Sequence, residues 1–236
     1  MSTDPAVAPT IDARALYRLL SWLSPSYPVG AYTYSHGLEW AVETGEITDA
    51  HSLTLWLEDV LLFGTGWCDA LIFHESWAAA NVRDRGRLVH VTSLARAYQA
   101  GRERLLESGA QGRAFMDATG KSWPAATLDL LDGFRPGDVV YPVAVAVTAA
   151  GHGIGCALAL HGYLHAFLAN LVSAAVRLVP LGQTDGQNVI AELEPVVHGV
   201  GDRALDSGLD ALGGAAMLSD IAAMRHETQY SRLFRS

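Results

Sequence analysis

From Val139 to Val176 the chain carries no Asp, Glu, Lys or Arg. So long an uncharged stretch must leave water, either inside a protein or inside a bilayer. Cys156 to Val176 alone is long enough to span a membrane. It holds His161, His165, Asn170 and Ser173, however, and it is rich in alanine rather than leucine. Gly151, Gly153 and Gly155 break the longer run. Polar side chains are costly at bilayer depth, so the stretch reads as a helix buried on all sides of a protein that does not enter the membrane.

Composition supports a sizeable core. Half of the 236 residues are apolar, enough for one large domain. The formal net charge of −9 argues against a nucleic-acid partner, because affinity for phosphate backbones comes mainly from Lys and Arg. Cys68 and Cys156 are the only cysteines and have no metal-ligand spacing, which points to a reducing, cytoplasmic setting. No basic segment followed by an apolar run marks a secretory signal at the start. Residues 1–15 read as a disordered leader.

Helical periodicity dominates the rest. Leu16, Leu19, Leu20 and Leu23 form a short stripe. With Asp49 as N-cap, Leu53, Trp56, Leu57, Val60 and Leu61 share a face, and Gly64 stops the helix. Leu88, Val91, Leu94, Ala95 and Tyr98 make another stripe, continuing into Arg102–Leu106. Pro142 suits the first turn of a helix ending near Gly151. Residues 155–179 read as a central buried helix, 189–193 as a helix interrupted or kinked at Pro195, and 215–225 as the last helix. Strand alternation is scarce. Val139 to Val147 comes nearest, and its alanines favour helix. The expected fold is all-α: a single helical-bundle-like domain with about eight to ten helices.

A sharp corner follows the central helix. Pro180 and Gly182 lead from Arg177 into the polar run Gln183-Thr184-Asp185-Gly186-Gln187. Proline ends the first helix, and Thr184 with Gln187 has the spacing of a capping box for the next. Gly182 is expected in a backbone conformation that other residues avoid.

Catalytic signatures are missing. Gly151-His152-Gly153-Ile154-Gly155 imitates a dinucleotide loop without its third glycine or a surrounding parallel sheet, so it reads as a helix–helix connection. His161 and His165 stand four apart on one helix face, a spacing that could hold a metal. No Glu, Cys or carboxylate nearby in sequence completes a site, and structural histidines are the commoner outcome. A metal-dependent enzyme using His161, His165 and His152 is the competing reading. Glu39 and Asp185 are isolated acids, as expected of carboxylates placed for a helix dipole. The loop from Ser24 to Ser35, with Tyr27 and Tyr32, and the tail with Tyr230, Arg232, Leu233, Phe234 and Arg235 have interface chemistry.

Three segments carry a family resemblance: Ser24-Pro25-Ser26-Tyr27-Pro28-Val29-Gly30 through Glu39, the corner Arg177–Gln187, and the tail His226–Ser236. Ala100-Gly101-Arg102-Glu103-Arg104 with Glu107-Ser108 and Gln111-Gly112 adds to them. In this order, from about Leu16 to the end, they resemble the urease accessory protein F family, nickel-insertion chaperone subunits. The resemblance implies an all-α protein without its own active site or cofactor. Such a protein would dimerise, bind a D/H-type urease accessory protein, recruit the nickel-carrying GTPase and deliver metal to apo-urease, coupling GTP hydrolysis to insertion. Tyr230, Arg232, Leu233, Phe234, Arg235, Tyr27, Tyr32, Arg177, Gln183 and Asp185 are the expected partner-binding residues within a domain of residues 16–225 and a tail of 226–236. The tail is expected to be mobile until a partner orders it. Arg177, Arg232 or Arg235 could alternatively act as an arginine inserted into the GTPase.

Overall fold

The computed structural model describes residues 12–235. The described residues contain eleven α-helices and three short 3-10 helices, with no strand among them. The α-helices are α1 (Ala13–Trp22), α2 (Leu38–Glu43), α3 (Ala50–Phe63), α4 (Thr65–Asn81), α5 (Arg85–Ala97) and α6 (Arg102–Ser122). They continue with α7 (Tyr141–Gly151), α8 (Cys156–Leu178), α9 (Gln183–Glu192), α10 (Glu194–Leu205) and α11 (Met217–His226). The expected all-α fold is present, with more helices than the eight to ten expected.

The centre is the pair α4 and α7. From Pro142 to Ala150 every residue of α7 is buried, and α4 is buried continuously from Gly66 to Phe73. A helix buried on every side has no exposed face to leave a 3.6-residue signature, which is why sequence periodicity passes over α4. Around the pair lie α5 and α3 on α4, α6 on α7, α8 on both, and α10 on α4 and α8. Small residues permit the closest approach. A Cβ on Gly112 of α6 would lie 2.1 Å from the carbonyl oxygen of Val139, so the backbones of α6 and the α7 entry touch directly. At one end Trp22 is wholly buried, edge-on to Phe115 at 6.3 Å and Trp123 at 6.2 Å, and fastens α1 to α6. Burying a side chain of that size contributes roughly 1.5–3 kcal/mol.

Several ends follow the sequence closely. Asp49 caps α3: its carboxylate accepts from the N–H of Ser52, and the Ser52 hydroxyl accepts from the N–H of Asp49. Pro142 sits in the first turn of α7, and the 151–155 segment joins α7 to α8. By length and apolarity α8 could cross a membrane, but here it packs on α2, α4, α7, α9 and α10; only nine of its 23 residues are buried, so it is a one-sided outer helix rather than the expected central helix buried on all sides. Other ends differ. Residues 13–15 are helical with Ala15 buried, so the expected leader overlaps α1, and residues 1–11 lie outside the described residues. The stripe through Tyr98 breaks before Arg102 and becomes two helices. Pro195 opens α10 instead of kinking one continuous helix.

The corner after α8 is built differently from the expected box. Its N-cap is Gly182, and the side chain of Asp185 accepts from the Gly182 N–H at 2.9 Å. Gly182 has φ −74° and ψ 160°, an ordinary extended conformation. Thr184 and Gln187 therefore lie inside α9 and do not cap it.

Candidate functional site

Residues 217–235 fold back onto α2 and α6. Helix α11 packs on both and ends at His226, whose side chain is fully buried. Close packing there needs Gly37. It has φ +79°, and a Cβ would lie 2.5 Å from Ala223 N. Two carboxylates flank His226: Nδ1 is 2.7 Å from Glu103 on α6, and Nε2 is 3.2 Å from Glu39 on α2.

The same carboxylates hold the tail. Glu39 Oε1 accepts the backbone N–H of Leu233 at 2.6 Å, and Oε2 accepts that of Phe234 at 2.9 Å. Arg232 donates to Glu103 Oε1 at 2.6 Å, and Gln229 donates to Glu43. The N–H of Arg235 donates to the Thr33 carbonyl at 2.8 Å. Upstream, Glu227 Oε1 accepts the N–H groups of Arg102 and Glu103, capping α6 from the residue that follows α11. Hydrogen bonds to a charged partner are worth about 1.5–3 kcal/mol each, so a segment this short can be ordered despite its backbone entropy.

Phe234 is 4% exposed, and the guanidinium of Arg177 lies 4.4 Å above its ring. Arg177 also donates to the carbonyls of Tyr32 at 2.9 Å and Ser173 at 3.1 Å. Thus Tyr32, Arg177, Arg232, Leu233, Phe234 and Arg235 converge on one surface. Tyr27 does not join them. Half-buried, it packs on Phe115 and hydrogen-bonds Thr119 at 2.7 Å. Gln183 and Asp185 lie at the α9 start, where Asp185 is engaged as a cap. Tyr230 and Leu233 turn outward, 105% and 67% exposed.

The expected free tail is therefore latched, and Glu39, read from sequence as a helix-dipole acid, is the hub of the latch. Glu103, Glu43 and His226 complete it, although nothing in their local sequence advertises the contact. An arginine inserted into a GTPase would have to leave its partners here if it were Arg177 or Arg232.

Below the loop at 24–35 lies a second buried polar group. His36, with φ +56°, has its Nε2 2.6 Å from Glu107. Glu107 also accepts from Arg104 and from Gln111, the latter at 3.0 Å. Asp69 accepts from Tyr163 at 2.7 Å. Burial pushes the Asp69 carboxyl up to about 6, with Tyr163 and Arg104 opposing and Glu107 adding to it. Burial, aided by Arg104, holds His36 below its usual value against the pull of Glu107.

The histidines of the metal-enzyme reading are placed otherwise. His161 Nδ1 lies 2.8 Å from its own helix carbonyl at Ala157, its ring lies against His198, and His152 meets the Trp123 carbonyl at 3.0 Å. Among the described residues no three His, Cys, Asp or Glu side chains are grouped to hold a metal. His161 Nε2 faces Asp202 at 3.2 Å, and without a grouped ligand set the helix-face pair gives the metal-enzyme reading no support.

Residues 47–194 match a model of the UreF family. The chain is 50% identical over 235 residues to the urease accessory protein UreF of Rhodopseudomonas palustris strain BisA53, covering 100% of this chain and 99% of that one. This chain belongs to the urease accessory protein UreF family. Other members are similarly close. The UreF of Bradyrhizobium sp. strain ORS 278 is 50% identical over 233 residues, 98% of this chain and 96% of its own. The R. palustris BisB18 protein is 48% identical across 100% of this chain and 98% of its own. The latch residues on α11 and the tail lie beyond the family-matched region but within the BisA53 and BisB18 alignments, which span 100% of this chain.

Proposed function

We propose that this chain is a non-catalytic accessory subunit of urease maturation. On this reading it bridges a D/H-type accessory protein and the nickel-carrying GTPase, and so couples GTP hydrolysis to nickel delivery into apo-urease. It acts in the cytoplasm as a homodimer, and nickel is its cargo rather than its cofactor. Membership of the UreF family supports the maturation role. The latched tail supports the bridging role: Glu39 and Glu103 fix its backbone while Tyr230 and Leu233 point to solvent. Ordered aromatic and aliphatic side chains need little further entropy loss when a partner covers them.

Capture of a purified D/H-type protein by the full-length chain tests this. Tyr230→Ala with Leu233→Ala should weaken capture about tenfold or more, as loss of interface anchors does. Because both side chains are exposed, the helical circular dichroism and Tm should stay unchanged. Full-strength capture by that folded variant would overturn the assignment of the tail as the bridge.

A further inference from the structure

A cavity of about 270 Å³ runs from the loop at 24–32 and the exposed side of α8 inward to His36, Asp69, Glu107 and Tyr163. Its floor is unbalanced in charge. Arg104 is matched by Glu107. His36 is uncharged, its Nε2–H directed to Glu107, and its buried Nδ1 has no hydrogen-bond partner. Asp69 is bonded to Tyr163, a neutral donor. Two carboxylates, one guanidinium and a neutral imidazole leave one negative charge in excess at a depth where charges are normally paired.

The walls narrow what could supply the missing charge. Rings of Tyr32, Tyr141, Tyr163 and Phe167 line the space together with Leu23 and Val29. A bare metal ion finds no grouped set of three ligands here among the described residues. Aromatic faces and a carboxylate bonded only to a neutral hydroxyl suit an organic cation, which gains from ring quadrupoles while its stem fills apolar volume.

We propose that this cavity binds a primary ammonium or guanidinium group on a short apolar stem, with Asp69 as counter-ion and His36 Nδ1 as hydrogen-bond acceptor. The head could come from a free amine or from a Lys or Arg side chain of another protein. The inference stands apart from the tail reading and can fail independently of it.

Thermal unfolding of the full chain tests it at neutral pH with n-butylammonium chloride, ethylguanidinium chloride or a short peptide holding one internal lysine. Sodium chloride at equal ionic strength is the control. A saturable Tm rise of about 3 °C is expected once a probe stands about ten-fold above its dissociation constant. A response to the small cations identifies a free-amine site, and a response to the peptide alone identifies a protein side chain. Asp69→Asn, which keeps an acceptor for Tyr163, should abolish the rise. Ala169→Leu, which fills the mouth without altering charge, should abolish it too. No rise with any probe overturns the proposal, as does an undiminished rise in either variant.

Discussion

The backbone N–H of Phe234 donates to the carboxylate of Glu39 at 2.9 Å across 195 positions of sequence. Glu39 also takes the N–H of Leu233 and faces His226 Nε2, so one side chain gathers two backbone donors from the tail and a ring nitrogen from the helix before it.

Glu39→Gln should therefore loosen the tail before anything else. The amide loses charge and offers one acceptor oxygen where two are used. Amide hydrogen exchange at 233–235 should accelerate by about tenfold or more, while α4 and α7 keep their protection. Unchanged exchange at 233 and 234 would show that these bonds do not hold the tail.

Gly37→Ala should disturb the same region through the backbone. Its φ of +79° disfavours a side chain, and the added Cβ would collide with Ala223 N at 2.5 Å. A loss of about 2–4 kcal/mol in urea unfolding is expected, with weakened docking of α11. Wild-type stability would require α11 to sit farther from α2 than it does here.

Asp69 gives the chain a specific pH dependence. Its carboxyl titrates at about 6 folded, against an ordinary value of 3.8. At pH values below about 3.8 both states hold the proton, and the group contributes nothing. As pH climbs toward 6 the folded state retains its proton longer, so folding is progressively disfavoured; above that the cost levels off at about 3 kcal/mol. Asp69→Asn should be more stable than wild type at neutral pH by up to this amount and equal to it in acid. Urea titrations across that range measure the difference, and a pH-independent gap would contradict the raised carboxyl.

At the α8–α9 corner, Asp185→Ala should cost about 1 kcal/mol, because its side chain satisfies Gly182 N–H. Thr184→Ala should stay within about 0.5 kcal/mol, as exposed helix positions without caps do. Paired Tm measurements distinguish them, and a reversal would restore Thr184 as the cap.

That corner shows what sequence can and cannot disclose. Gly182–Asp185 and Thr184–Gln187 share the same three-residue spacing, and only the extended backbone of Gly182 decides between them. By contrast the Asp49–Ser52 cap and Pro142 had no local rival, and α8 announced itself by length. Helix α4 was hidden because its buried residues run around the helix and include polar ones such as Asp69 and Ser76, which breaks any apolar stripe. The convergence of Tyr32 and Arg177 with the tail fell within the expected interface, whereas its acidic anchors did not. Glu39, Glu103 and His226 meet across separations of 123 and 187 residues, for which no periodicity exists. Residue type suggested which side chains could face a partner, and tertiary geometry determined which are turned inward instead.

The latch also has a consequence for biosynthesis. A ribosome adding about 5–20 residues per second reaches Phe234 roughly 10–40 s after Glu39. For most of that interval Glu39, joined by Glu103 once α6 is begun, has no His226, Arg232 or tail amide to meet, so α2 and α6 lack the donors that cover these acids in the finished chain. Closure of that side of the protein must await the codons for residues 226–234, and a message broken shortly before them yields a chain with two naked carboxylates where the finished one has a sealed seam.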